Sequence, residues 1–410
     1  MFHSRRLMLA LLLWVPTGAA VGAERDAKLF DAVWDSVRES FYDPNLHGVD
    51  WDGMRDVYRP LVLEAPTDEQ VRALLLEMLA ELDASHVTIL DGPVYRSMMR
   101  ELWNRPTRTL GILLEESMAG RIFVRAMYEG GPCELAGMRM GDRIIEIDGV
   151  PVFDSPVLVD AGYDPALPGP RLFFLDSAPD RIELLMQRTP DAASRFSTAL
   201  APAQMNAVDA ASNSVRIVER DGMKIGTLHV WFCSRGVAGV LEDAVRGPLA
   251  DCDALVLDVR GRGGFSDVVV ALLDVFRGES GFLSRMRGTR AKPLWTKPLV
   301  VLTDDRSRSA KELFAYRIRH SKLGKLVGQR TEGAVLGAMF HPLPDGSYLE
   351  LAGVSVPIDG VSLEGNGVRP HHEVDFVVPY ADGHDSIFEK GCEVAADAAR
   401  RATTGVKGPF

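Results

Sequence analysis

The sequence predicts an α/β protein with a largely parallel sheet, led by a helical bundle and a small β domain. Three observations predict it. From residue 216 onward, short apolar runs rich in β-branched residues alternate with amphipathic stretches: Ala254–Val259 before Val268–Phe276, and Leu299–Leu302 before Leu313–Ile318. Such alternation marks parallel strands joined by helices. Residues 25–90 instead repeat apolar side chains three or four apart, and 105–190 show short β-like runs between glycine turns.

A length of 410 residues implies two or three domains. The formal charge of −11 argues against a nucleic acid or an anionic membrane as partner, because both need basic surface. Arg5 and Arg6, an apolar core from Leu7 to Val15, and small Val21 and Ala23 ahead of Glu24 read as a secretory leader over 1–23. A periplasmic or secreted protein is expected, with no membrane span in the mature chain. Cys133, Cys233, Cys252 and Cys392 lack zinc-site spacing, and buried free thiols are expected.

In 24–104, Phe30, Val33, Trp34, Val37 and Phe41 form one helical stripe, and Trp51, Met54 and Tyr58 begin a second. Thr67 and Gln70 open a third helix as cap and partner. The bundle ends in Ser85-His86 before an extended Val87–Leu90. A lone histidine past a helix end is most often a cap or a surface residue.

Residues 105–195 read as the β domain, with strands at Leu110–Leu113, Ile122–Val124, Arg143–Ile147 and Arg181–Met186. Ala136-Gly137, Gly141-Asp142 and Ile147-Asp148-Gly149 resemble the turns of a PDZ domain. Leu110, Gly111, Ile112 and Leu113 resemble the PDZ loop that takes a peptide's terminal carboxylate and adds the peptide as a strand. The same domain can also serve as a lid alone. Residues 196–215 read as a connector without periodicity, 216–385 as the α/β core, and 386–410 as a final helix and tail.

Within the core, Ser309 stands where a buried strand turns into a helix. Exposed N–H groups and the helix dipole favour an anion there. A serine at such a place is usually a cap. Gly263-Gly264 follows another strand end, where backbone N–H groups can approach a substrate oxygen. His371-His372-Glu373 are read as surface residues.

Taken in order, these motifs resemble a family. Leu82 to Ser85-His86, the PDZ turns, and Asp258-Val259-Arg260-x-x-Gly263-Gly264 come first. Leu302-Thr303 to Ser309-Ala310-x-Glu312, Val327-Gly328-x-x-Thr331-x-Gly333 and Glu364-Gly365-x-Gly367-Val368-x-Pro370 follow. The set is similar to the tail-specific serine proteases, the family of C-terminal processing peptidases and tricorn protease, over nearly the whole mature chain. The resemblance implies a crotonase-like α/β catalytic core and an endopeptidase acting on peptides or unfolded protein tails. One branch uses a serine–lysine pair, but Ala334 occupies the lysine position, and Lys322 and Lys325 do not match it.

The tricorn-like branch uses residues that match Ser309 as nucleophile, His86 as base, and Ser85 and Glu364 as supports. Gly263, Gly264 and Ala310 would hold the oxyanion on backbone N–H groups. Arg262 replaces the more usual asparagine of the glycine turn, and Lys311 and Gln329 also depart from the usual residues. The implied mechanism needs no cofactor or metal, and the substrate partner is a peptide or protein. A non-catalytic protein binding peptides or apolar ligands on the same scaffold is the alternative. Oligomeric state is not given by the sequence.

Overall fold

A computed structural model describes residues 18–161, 171–176, 179–278, 292–356 and 358–404. Helices α1 (Gly18–Ser40), α2 (Trp51–Glu64) and α3 (Asp68–Ala80) form the leading bundle. Phe30, Val33, Trp34 and Val37 are buried, as their spacing requires. Thr67 caps α3 by accepting the Gln70 N–H at 3.2 Å. Most of the expected leader, 1–17, lies outside the described residues. Helix α1 begins at Gly18, ahead of the expected cut.

Strand β1 (Thr88–Leu90) leaves the bundle, and α4 (Gly92–Leu102) leads into the β domain. That domain holds β2 (Thr107–Thr109), β3 (Ile112–Glu116), β4 (Ile122–Met127), α5 (Pro132–Leu135), β5 (Arg143–Ile147) and β6 (Val150–Pro151). It continues with β7 (Leu158–Asp160), β8 (Leu172–Leu175), β9 (Ile182–Gln187) and β10 (Arg195–Leu200). The sheet runs β10-β9-β5-β4-β3-β8-β7, with β6 on β5. The strand expected at Leu110 starts at Ile112, because Gly111 turns the chain with φ 63°.

Residues 196–215 correct the expectation of a plain connector. They carry most of β10, then β11 (Ala203–Met205) paired with β2, and α6 (Ala207–Asn213). Strand β10 is an edge with half of its residues exposed, so it has little apolar signal. Helix α6 is short, and its start is set by Asn206, which accepts from the Val208 and Asp209 N–H groups.

The core sheet contains β12 (Arg216–Arg220), β13 (Met223–His229), β14 (Ala254–Asp258), β15 (Leu299–Thr303) and β16 (Lys325–Gly328). Strands β13 to β16 are parallel neighbours, and β12 is an antiparallel edge. Strands β14 and β15 are buried along their whole length, as continuous apolar runs predict. Helices α7 (Val237–Arg246), α8 (Ser266–Arg277) and α9 (Ala310–His320) cover one face. Helix α10 (Ser386–Thr404) covers the other with Ile387, Cys392, Ala395 and Ala396.

After β16 the chain forms the hairpin β17 (Gly337–Pro342) and β18 (Tyr348–Val354), turning at Asp345-Gly346. Strand β1 joins this hairpin, Thr88 opposite Glu350. The bundle is thereby stitched to the core. Leu349 and Leu351 of β18 lie in the bundle's own core. Strand β19 (His372–Glu373) pairs with β16, and its two residues and His371 are exposed. All four cysteines are free and buried.

Candidate active site

The strand β15 ends at Thr303, and the turn to α9 places Ser309 at φ 54°. A serine in this left-handed region costs about 1–3 kcal/mol and needs surroundings that hold it. The Ser309 N–H donates to Ala334 O at 2.8 Å and to Glu312 Oε2 at 3.2 Å. Glu312 is fully buried and also accepts from Gly333 N–H at 2.7 Å, Ala334 N–H at 2.7 Å and Thr331 Oγ1–H at 2.5 Å. Burial pushes its carboxyl up to about 7, and these donors oppose that rise. One carboxylate thus locks the Ser309 turn to the loop 331–334.

The glycine turn after β14 lies directly against Ser309. A methyl group on Gly263 would sit 2.7 Å from Arg308 O, 2.8 Å from Ser309 Cβ and 3.0 Å from Ala310 N. Only glycine allows that approach. Gly264, at φ 133°, presses on the Cys233 backbone in the same way. Among the described residues, the N–H groups of Gly263, Gly264 and Ala310 donate to no backbone acceptor. These are the donors expected to face an oxyanion.

Ser85 and His86 are both buried, and His86 sits at φ 58° just before β1. Ser85 Oγ and His86 Nδ1 are 2.9 Å apart in a hydrogen bond. Glu364 meets Ser85 at the backbone, accepting its N–H on Oε1 at 3.0 Å. Its Oε2 accepts from Val335 N–H at 2.8 Å and Leu336 N–H at 3.3 Å. The links therefore run from Ser309 through Ala334 and Val335 to Glu364, and on to Ser85 and His86. His86 is held well below its ordinary pKa by burial first, then by Arg308 and Arg262. An imidazole so placed is neutral at pH 7 and can accept a proton.

Ala334, at the position that holds a lysine in the serine–lysine branch the sequence resembles, is fully buried. Lys311 is buried two residues from Ser309, and its Nζ donates to Trp231 O at 2.9 Å and Arg260 O at 2.6 Å. Burial brings its ammonium down to about 8. Lys311 ties down the start of the glycine turn.

Two residues of the site had no task in the sequence reading. Glu312 stood only as a motif position. Asp304 lay in a stretch read as polar turn, yet it accepts from Gly261 N–H at 2.9 Å, Arg306 N–H at 3.1 Å and Ser307 Oγ–H at 3.0 Å. Its Oδ2 takes Arg125 Nη2–H of the β domain at 2.8 Å. An aspartate at a strand's C-terminal end followed by a serine three residues on was the available signal.

A cavity of about 600 Å³ opens between the β domain, α4 and the core. Gly111, Ile112 and Leu113 line one side, while Arg262, Arg306 and Arg308 line the side next to Ser309. Leu110, the fourth residue of the expected peptide loop, is packed in the β-domain core.

The peptidase family S41 model matches residues 224–374, the tricorn protease C1 domain model 23–80 and a PDZ domain model 123–160. The chain is 26% identical to a putative tricorn protease homolog 2 of Streptomyces coelicolor, over 90% of this chain and 32% of that one. It is 27% identical to the chloroplastic C-terminal processing peptidase of Tetradesmus obliquus, over 91% of this chain and 82% of that one. The chain thus spans about a third of the tricorn homologue's length and most of the algal peptidase's. Among solved structures, the photosystem II D1 C-terminal processing protease superposes with a TM-score of 0.52 at 23% identity, covering 91% of this chain and 98% of that one. Tricorn protease superposes with a TM-score of 0.53 at 19% identity, covering 92% of this chain and 37% of that one. Both share the fold.

Proposed function

We propose that this chain, whose residues 224–374 belong to peptidase family S41 and which carries tricorn C1 and PDZ domains before them, is a serine peptidase that cleaves the unfolded tails of peptides or proteins. Ser309 Oγ attacks the scissile carbonyl carbon, and its proton passes to His86 Nε2. The negative oxygen is held by N–H groups of Gly263 or Gly264 and of Ala310. The C–N bond breaks as His86 returns the proton to the leaving amine. Water then attacks the acyl-Ser309 ester, again with His86 as base, and the acid product leaves.

The base needs the proton on Nδ1 and a lone pair on Nε2. Nδ1–H donating to Ser85 Oγ gives that tautomer. Glu364 fixes Ser85 through its backbone and so acts as a positioning residue. The observation that carries the reading is the set of links joining the Ser309 turn, through Ala334, Val335 and Glu364, to the Ser85–His86 pair. A lysine base has no support, with Ala334 at its place and Lys311 bonded to two carbonyls. The cavity that reaches from Gly111–Leu113 to the Ser309 turn supports peptide entry along the β domain. The leader read in 1–23 supports export to the periplasm or beyond.

Proteolysis of an unfolded protein by residues 24–410 is the test, beside Ser309→Ala and His86→Ala. Loss in both folded variants is expected. Loss in Ser309→Ala alone would assign the base elsewhere, and no cleavage by any form would favour the peptide-binding alternative.

A further inference from the structure

Strand β3, which follows the expected peptide loop, is not an edge: it lies between β4 and β8. A peptide whose terminal carboxylate sits at Gly111 would run along β3 toward Glu116, antiparallel to it. Strand β8 already takes that course. It is antiparallel to β3, with Leu172 opposite Glu115 and Phe173 opposite Leu114. On this side the Glu116 N–H donates to Arg171 O at 2.9 Å, and on the β4 side Gly111 O accepts from Tyr128 N–H at 2.8 Å. Bonding groups alternate between the two sides of an antiparallel strand. Both bonds therefore aim the N–H and C=O of Ile112, Leu114 and Glu116 toward β8. Among the described residues, the β3–β8 pairing stops at Leu114. Past Phe173, β8 pairs with β7 alone, Phe174 opposite Val159 and Leu175 opposite Leu158. The two strands part there, and Ile112, Leu113, Leu172, Phe174 and Leu175 line the cavity. Strand β8 is no loose arm, because Phe173 and Leu175 lie in the buried core of the β domain.

We propose that β8 stands in the place of a bound peptide, so that the β domain grips a free chain end by its last residue only. That residue pairs with Ile112 and puts an apolar side chain into the wedge between β3 and β8. The positions a longer added strand would use, Leu114 and Glu116, belong to Phe173 and Arg171. The rest of the tail must leave β3 and enter the cavity, which also reaches Gly261 and Arg262 of the glycine turn. The proposal rests on the reading of the substrate as a peptide and not on the chemistry at Ser309.

The test reads binding to the Ser309→Ala chain by fluorescence anisotropy. The probe is a labelled octapeptide of Ser and Gly that ends in a free Leu. Methylating the backbone nitrogen of its last residue, or amidating its terminus, should weaken binding about tenfold or more, since each removes a bond at the chain end. Methylating the nitrogen of the third residue from the end should change Kd by less than about twofold, because Phe173 already holds the position at Leu114. Phe174→Asp, which sets a charge in the wedge, should weaken the Leu probe about tenfold in a chain that stays folded. A third-residue methyl that costs as much as the last-residue methyl overturns the proposal, since the tail then displaces β8. A probe that fails to bind, or whose binding ignores both amidation and the last-residue methyl, overturns it too. Binding as expected, with no peptide cleaved by the wild-type chain, would sink the peptidase reading and leave this site standing. Cleavage without any dependence on the chain end would do the reverse.

Discussion

Replacing Gly263 with alanine separates damage to the site from damage to the fold. The backbone at Gly263 is open to any L-residue, because its φ lies outside the left-handed range. The added methyl would lie 2.7 Å from Arg308 O, 2.8 Å from Ser309 Cβ and 3.0 Å from Ala310 N. Real contacts of this kind lie near 3.4 Å or beyond, so several tenths of an ångström must be found. The Ser309 turn has little to give. Ser309 is already at φ 54°, with its N–H fixed on Ala334 and Glu312.

The glycine turn must therefore move away from Ser309, and with it a proposed oxyanion donor. Losing one such donor costs about 10²–10³ in rate, or roughly 3 kcal/mol of transition-state stabilisation. The overpacking itself costs about 1–3 kcal/mol of stability. Gly149→Ala is the control. It sits at φ 77° in the β domain with nothing within 4 Å of the added methyl, so it is strained without touching the site. Thermal melts and kcat/KM on a fluorogenic peptide would be read for both. Gly263→Ala should stay folded and lose about 10²-fold or more in kcat/KM, and Gly149→Ala should keep its activity at a similar Tm cost. A folded Gly263→Ala with wild-type kcat/KM would refute the placement of the oxyanion site.

Ser85→Ala removes the partner of His86 Nδ1 and should lower kcat by about 10²-fold or more while shifting stability by only about 1 kcal/mol, read by kinetics and urea melts. Because His86 is depressed below 6.5, kcat/KM should stay flat down through pH 6.5 and fall only in more acid solution; Arg308→Gln removes a repelling charge and should move that acid limb upward. Lys311 has a folded value of about 8 against 10.5 unfolded, so between those values the unfolded chain binds more protons and stability rises with pH. Lys311→Met should abolish that rise in urea melts run from pH 8 to 10.5. Arg125→Met leaves Asp304 buried without its cation, at a cost of about 3–5 kcal/mol, and should raise hydrogen exchange at β4 and lower kcat together.

Several features were legible in the residues alone. The apolar runs of β14 and β15 have no polar interruption, so their burial follows from composition. The stripe Phe30–Val37 and the Thr67 cap are local signals, and each element formed where they stand. Residues 203–213 were not legible, since a short capped helix of alanine and a three-residue strand leave no period to read.

The sequence by itself determined the order of the domains, the strand–turn–helix at Ser309 and the loss of a lysine at Ala334. Those are properties of neighbours along the chain. Only the tertiary structure decided that His86 is linked to that turn, through Ser85, Glu364 and the loop at Ala334-Val335. Its approach depends on β1 pairing with β18, so that Thr88 meets Glu350 some 260 residues away in the chain. The tasks of Glu364, Glu312 and Asp304 are likewise long-range. Each carboxylate accepts backbone N–H groups from segments that meet only after the sheet has closed. Hydrogen bonds of that kind have no sequence period, because their partners are main-chain groups that every residue carries.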